Sequence, residues 1–545
     1  MTEVYCVNNY GYKWTISNNI FFKGYFILNK ILYRDESAVK YLSSLSNYDD
    51  FIDSVRKICG CFAIIIKKDD ELWSAVDRAR SMPIYFSSDG KAISDSAETI
   101  REKLNIPVGN INKKNLTSLL YSQFTLLNNT VYNDIKQLNV GQVLFINGDS
   151  VQHEYYYRHI ANVVEINKAD AISALGNVLC ETFDRLITAI NGRPVLLSLS
   201  GGYDSRLVAC MLKEKGVNDV TCYTYGGLNS YEVEISRKVA EKLGYEWHCV
   251  TYTDDDIKSI FTSENDEFFK ITNNHDYIIY LQNYIAVRKL KEEKKIKENS
   301  VIVTGLCGDM PSGVYVLPEE QLNNMAISYE KMSSQYIDNL FNQFKINENI
   351  LNELKNEIES DLRKCDIELN STQNYITLKD CMETAGVHSR CFLNANSVHG
   401  YFGFEWLLPL WDNDYLNFWY GLPMQYRANQ SFYEEYLIEH LCLKYDIAFK
   451  KMKSIRPADR NKKKKGNVLK LKLKYFLGGV LTRISFLSGI PIKRKLADPN
   501  NFGAATVLLY KGIRNKKIIN YKKANFKHLL NIYILEKRYG KFNLK

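Results

Sequence analysis

What this 545-residue chain lacks narrows what it can be. It has no uncharged apolar run of the roughly 18 residues that a membrane span needs. The nearest stretch, Tyr475 to Ile492, is interrupted by Arg483 and Pro491. The first apolar segment, Ile20 to Leu28, contains Lys23 and no small-residue cleavage site follows it, so no secretory signal is expected. The 12 cysteines are scattered, with a lone C-x-C at Cys59 and Cys61 and no CxxC pair. A disulfide framework is not expected in so long a chain without a signal, whereas reduced thiols in a cytoplasmic protein are. The sequence also has no internal repeat, no Walker-type G-K-[ST] and no recognisable RNA-binding module.

What is present is ordinary in bulk and uneven in charge. Hydrophobic residues make up 46% and charged residues 24%, enough for two to four domains with proper cores. The net charge is +9, but Lys451 to Lys545 carries 26 Lys/Arg against 3 Asp/Glu, a net of +23, which leaves −14 on residues 1 to 450. Such a basic extension suits an anionic partner. Residues 468 to 492 mix Lys/Arg with Leu, Phe and Ile, as segments lying peripherally on a membrane do. The plainer reading is a basic, mainly helical extension packed on the rest of the protein.

Hydrophobic period divides that rest in two. Residues 1 to 160 read as β-rich: Phe62 to Ile66, a turn at Lys67 to Asp70, then Leu72 to Val76, Pro83 to Ser87 and a hairpin signal at Asp89-Gly90. Gly141 to Asn147 and Val151 to Tyr157 read as another hairpin. From about 165 to 450 strands alternate with helices. Ala169 to Ile190 has helical periodicity, and Val195 to Leu199, Val220 to Tyr225, Trp247 to Tyr252 and Val301 to Thr304 are short apolar strands. That alternation predicts a parallel sheet covered on both faces. Residues 320 to 450 read as mainly helical.

The most informative string is VLLSLSGGYDSR, Val195 to Arg206. A buried strand ends at Ser200, Gly201 and Gly202 follow, and Asp204 and Ser205 open a helix. Paired glycines let the backbone turn tightly with its N–H groups open to an anion, and the helix start adds partial positive charge. Ser200 and Ser205 can donate to phosphate oxygens. Asp204 would repel phosphate unless a divalent cation lies between them, which implies Mg²⁺. The string resembles the loop of the ATP pyrophosphatases. A second strand and loop, VIVTGLCGDMPSGVY from Val301, places Asp309 beyond a strand end, where open α/β sheets bind ligands. A third string, GFEWLLPLWD from Gly403, sets Glu405 among apolar residues, where a carboxylate needs a partner or a purpose.

Together the three strings resemble, in order, those of the asparagine synthetase family, and W-L-L-P-L-W-D is most similar to its surface-polysaccharide-associated members. Gly60 to Phe86 and Ile135 to Tyr157 resemble the family's amino-terminal glutamine amidotransferase domain. The resemblance implies an Ntn-type layered β-sandwich domain over 1–160. It implies a parallel-sheet ATP-pyrophosphatase (adenine-nucleotide α-hydrolase) domain over 165–450, with the basic extension over 451–545. It implies an ATP-dependent, AMP-forming ligase that activates a carboxylate for amide formation. ATP would meet Ser200, Gly201, Gly202, Asp204, Ser205, Tyr225, Thr304 and Gly305, and Mg²⁺ would meet Asp204 and Asp309. Lys451, with Pro457 six residues on, matches the family's late catalytic lysine, and Lys453 is the fallback.

The departures from the family are specific. Thr2 stands where its glutaminases expose a cysteine, and Gly24 to Lys30 lacks their glutamine-pocket strings, so glutaminase loss is expected. Leu306 and Met310 replace the glutamates of the second loop, and Leu407 replaces an arginine. The acid–base duty then falls to Glu405 or Glu383. Nitrogen would come from ammonia, an amine substrate or a separate subunit. The acid is a small-molecule carboxylate, with a sugar acid ahead of aspartate. No specific nucleic acid is expected, although an RNA-modifying ATP pyrophosphatase and a non-catalytic scaffold stay open, as does a homodimer.

Overall fold

The computed structural model describes residues 2–160, 162–228, 230–260, 262, 265–272, 274–318, 328–341, 346–449 and 526–540. The amino-terminal part is built from two sheets. Seven strands form the larger one, in the order Ser150–Tyr155, Gln142–Asn147, Glu71–Val76, Cys59–Lys68, Ile20–Leu28 and Trp14–Ser17, with Ile31–Arg34 also paired to Ile20–Leu28. The smaller sheet orders Glu3–Tyr5, Ala92–Ser94, Tyr85–Ser87 and Ile135–Gln137. Period-2 alternation explains the long apolar run at its centre. Ala63 and Ile65 pack with Tyr85, Ile93 and Ile135 of the smaller sheet. Phe62, Ile64 and Ile66 point the other way, into a core with Phe22, Phe51 and Trp73 under helices Asp35–Leu42 and Tyr48–Lys57. Both faces are covered, so the strand reads as a continuous run.

The second part is a five-stranded sheet, all parallel, in the order Glu246–Val250, Val220–Tyr225, Val195–Ser198, Val301–Val303 and Trp406–Leu407. Its two faces are likewise buried. Val195, Leu197, Val303 and Leu407 pack with Leu179 and Phe183 of helix Lys168–Ile190. Leu196 and Ile302 pack on the opposite side with Ile285 of helix Tyr284–Glu292. The fold is mixed α/β, and the sheet is parallel because helices carry the chain back between strands. The fifth strand falls inside the third sequence string and holds two residues, too few to show a period. Leu407 packs inside that sheet, so at this position the fold uses an apolar side chain.

Buried polar links join the two parts. Arg80 and Asp276 form an ion pair at 2.8 Å with both side chains inaccessible, and Tyr85 Oη donates to Asp276 at 2.9 Å. Tyr12 Oη donates to the Trp406 carbonyl at 2.5 Å. Of the basic extension, 451–525 and 541–545 lie outside the described residues. Its described portion is helix Phe526–Tyr539, which packs on helix Lys113–Ser122, with Asn531 Nδ2 donating to the Leu120 carbonyl at 2.9 Å. No helix among the described residues is long and apolar enough to cross a membrane.

Removing Asp276 would leave the Arg80 charge buried and unpaired. Asp276→Ala is expected to lower unfolding free energy by about 3–5 kcal/mol. Urea unfolding followed by tryptophan fluorescence checks this; a loss below about 1 kcal/mol would mean the pair does not hold the two parts together.

Candidate functional site

The strand Val195–Ser198 ends in the middle of the parallel sheet and delivers the chain to Ser200, Gly201 and Gly202. Helix Tyr203–Glu214 starts at once, with Gly202 as its cap and therefore no capping side chain. The N–H groups of a helix's first turn are what an anion at a helix start uses. Ser200 Oγ lies 3.1 Å from Ser205 Oγ and accepts from the Gly202 N–H at 3.1 Å. A side chain at Gly201 would put its Cβ 2.9 Å from Glu232 Cα, so the loop presses on helix Tyr231–Leu243.

The second loop follows Val301–Val303 on the neighbouring strand and meets the first at backbone distance. A Cβ at Gly305 would lie 2.8 Å from both the Asp204 carbonyl carbon and the Ser205 nitrogen. Asp309 N–H donates to Asp204 Oδ2 at 3.0 Å, and the buried Tyr433 hydroxyl donates to Asp204 Oδ1 at 2.8 Å. Burial, then the Asp204 charge, pushes the Tyr433 hydroxyl well above its ordinary 10; Tyr415 is shifted for the same reasons, and the Asp309 charge acts on both. Two carboxylates thus share one small polar region ringed by phenols that stay protonated. Among the described residues, the buried hydroxyls of Thr304 and Tyr415 have no hydrogen-bond partner.

Other expected residues fall into two groups. Ser200, Gly201, Gly202, Asp204, Ser205, Thr304, Gly305 and Asp309 are brought together as described. Tyr225 ends the adjacent strand, its ring stacked on Tyr252 at 5.6 Å and its hydroxyl donating to Gln282 at 3.3 Å. It stands on the same carboxyl edge of the sheet. Glu405 does not. It precedes the fifth strand and so lies at the opposite, amino edge, where its oxygens accept from Arg34 at 2.7 Å and Arg193 at 2.5 Å. The catalytic expectation for Glu405 is therefore corrected: its carboxylate is an ion-pair bridge between the two parts. Lys451 and its fallback Lys453 lie outside the described residues.

Several contributors carry no sequence signal. Arg206, fully buried, donates to the carbonyls of Gly201, Ile447 and Phe449 at 3.2, 3.2 and 2.7 Å, tying the phosphate loop to the chain just before the basic extension. Helix Thr372–Glu383 supports the second loop. Asp380 pairs with Arg427 at 2.6 Å, Arg427 Nε donates to the Pro311 carbonyl at 2.9 Å, and Lys379 donates to the Tyr315 carbonyl at 3.0 Å. Burial pushes the Glu383 carboxyl above its usual range. Met310 is core: the Thr384 and Tyr420 hydroxyls meet its sulfur at 3.4 and 3.2 Å.

Comparison with known families matches residues 187–437 to asparagine synthase and residues 48–157 to the glutamine amidotransferase domain. Comparison with curated proteins gave no match. Among solved structures, an NH3-dependent NAD synthetase from Campylobacter jejuni is 17% identical, with 40% of this chain and 94% of that one covered at a TM-score of 0.20. A glutamine phosphoribosylpyrophosphate amidotransferase from B. subtilis is 12% identical, with 54% and 63% covered at a TM-score of 0.18. TM-scores this low bear on neither chemistry nor partners.

Gly305→Ala should weaken nucleotide binding by at least about tenfold, since a methyl group there must push two loops apart. Glu405→Gln should instead cost about 1–3 kcal/mol of stability and leave nucleotide affinity within about twofold. Calorimetric titration with a nonhydrolysable ATP analogue, beside thermal unfolding of each variant, separates the two. Reversed outcomes would move the site to the other edge of the sheet.

Proposed function

We propose, from the premise that this chain is an asparagine synthetase-like protein with a glutamine amidotransferase domain, that the Asp204 centre activates a carboxylate with ATP and passes it to an amine. The observation that carries this is the meeting of the two loops at the start of helix Tyr203–Glu214, where the Asp309 N–H donates to the Asp204 carboxylate close to the Ser200 and Ser205 hydroxyls. The donor set fits a magnesium nucleotide: hard oxygen ligands on one side, backbone and hydroxyl donors on the other, and an unpartnered Thr304 hydroxyl between them.

In this reading Ser200, Gly201, Gly202 and Ser205 receive the phosphates, with Thr304, Gly305 and Tyr225 toward the nucleoside. Asp204 and Asp309 would hold Mg²⁺, which when bound neutralises charge on the leaving pyrophosphate. A substrate carboxylate oxygen bonds to the α-phosphorus, the bond to the β-phosphate bridging oxygen breaks, and pyrophosphate leaves. An amine then attacks the acyl carbon, loses a proton and displaces AMP. Glu383, whose raised carboxyl sits under the second loop, is the candidate for that proton, and Lys451 for the phosphate charge. Tyr433 and the Asp309 N–H hold the Asp204 carboxylate in place.

The nitrogen source is proposed to be free ammonia, an amine substrate or a separate subunit, rather than glutamine hydrolysed on this chain. Two observations support this. The Thr2 hydroxyl is engaged with the Gly90 carbonyl at 2.7 Å. Burial and the neighbouring Asp95 push the Cys6 thiol up, which keeps it protonated and a poor nucleophile. The string at Trp406 to Asp412 puts sugar acids first among the carboxylates to try.

With Mg-ATP, ammonium and a panel of uronic and amino acids, the purified chain should release pyrophosphate and AMP in equal amounts with one acid class. Asp204→Asn should reduce this at least about a hundredfold, and chelation of Mg²⁺ should do the same. Glutamine should yield no glutamate above background. Mg-ATP binding without turnover on any acid would favour a scaffold that keeps the fold; no Mg-ATP binding at all would remove the centre itself.

A further inference from the structure

A cavity lies in the seam between the edge of the seven-stranded sheet and helices Glu348–Arg363 and Thr372–Glu383. Cys365 and Cys381 both line it, beside the consecutive residues Arg158 and His159. Arg158 Nη1 lies 2.7 Å from Cys365 Sγ, with the Arg158 guanidinium stacked over Tyr155 at 3.8 Å and shared with Asp361 at 3.3 Å. The Cys381 thiol donates to the His159 carbonyl at 3.1 Å, so two consecutive residues hold the two sulfurs at one wall of the cavity. The neighbouring Cys381 thiol, then Arg158, hold the Cys365 thiol below its ordinary range against the opposing effect of burial.

A fixed cation on one sulfur, a second thiol at the same cavity wall and the cavity itself are together what a reactive dithiol requires. We propose that Cys365 and Cys381 form a peroxide-oxidisable pair that closes to a reversible disulfide. The Cys365 thiolate attacks one oxygen of a hydroperoxide, the O–O bond breaks, and the other oxygen leaves as an alcohol or water after taking up a proton. Cys365 is then a sulfenic acid. Cys381 sulfur attacks it, the S–S bond forms, the S–O bond breaks, and water leaves with the Cys381 proton. Two thiols are oxidised by two electrons and one hydroperoxide is reduced. A dithiol reductant reverses the bond by exchange.

The chain carries its own comparison. Cys210 and Cys442 are also neighbours, with Arg206 near Cys442, but both are fully buried and neither lines this cavity. Access should therefore decide between two chemically similar pairs. The Cys365 pair also bears on its surroundings, because Cys381 directly follows Asp380, whose pairing with Arg427 supports the second loop.

The test is to treat the folded full chain with dilute hydrogen peroxide, then unfold, alkylate and digest it without reductant for mass spectrometry. The expected product is a cross-link between the peptides containing Cys365 and Cys381, two hydrogens lighter than the separate peptides and undone by dithiothreitol, with Cys210 and Cys442 still alkylated. Arg158→Gln should slow cross-linking by roughly threefold or more. Cys381→Ser should leave a Cys365 sulfenic acid that dimedone traps. The proposal is overturned if the exposed Cys180 oxidises while Cys365 and Cys381 stay free, or if the Cys210–Cys442 bond forms as fast, since that would report unfolding rather than a built site.

Discussion

The Asp204 carboxylate is held by one donor from each of two distant pieces of chain, the Asp309 N–H and the Tyr433 hydroxyl. Each hydrogen bond to a charged acceptor is worth about 1.5–3 kcal/mol, so together they fix the side chain against the pull of solvent. The remaining geometry follows from where this places it. The second loop can only reach Asp204 if Gly305 passes against the Asp204–Ser205 backbone, which forbids a side chain there. Tyr433 can only reach it if the segment around Arg427 is seated, and Arg427 is seated by Asp380 and the Pro311 carbonyl. One carboxylate therefore couples the phosphate loop, the second loop and the helical layer.

The two parts of the molecule are joined on a different principle. Polar groups link the sheets at two places: Arg34 of the amino-terminal part joins Arg193 on Glu405 at the amino edge of the parallel sheet, and beyond the fifth strand the Cys59 thiol donates at 3.2 Å to Asp412, which Arg185 holds with two contacts at 2.7 Å. These are partly buried pairs, and such pairs specify register more than they add stability.

Much of this was legible in the sequence where a pattern had enough residues to repeat. Val220–Tyr225 has the bounds that the sequence pattern predicts, and Lys168–Ile190 starts one residue earlier, at the position after its Asn167 cap. The loop from Ser200 to Ser205 was legible because paired glycines between an apolar strand and a helix start mark a tight strand-to-helix turn, and the structure has that turn there. Glu405 was misread for a reason that recurs. A carboxylate in an apolar string signals a partner, but the string cannot say whether that partner is a substrate or an arginine 212 residues away. Tyr433 was invisible because it reaches Asp204 across 229 residues. Arg206 was taken only as a helix former, and nothing local marks it as the anchor of Phe449.

The departures from the family pattern also acquire a physical sense. Leu407 is inside the sheet, and Met310 fills the space between Thr384 and Tyr420. Leu407 packs in the core on the Lys168–Ile190 side of the sheet and Met310 in the core on the other side, so both positions lie in apolar surroundings. A charged residue at either would need a buried partner, and an unpaired buried charge costs several kcal/mol. In this chain the nearby buried charges already pair among themselves, Asp380 with Arg427 and Arg80 with Asp276. Apolar replacements therefore remove groups from the floor of the second loop without disturbing Gly305 or Asp309 at its rim.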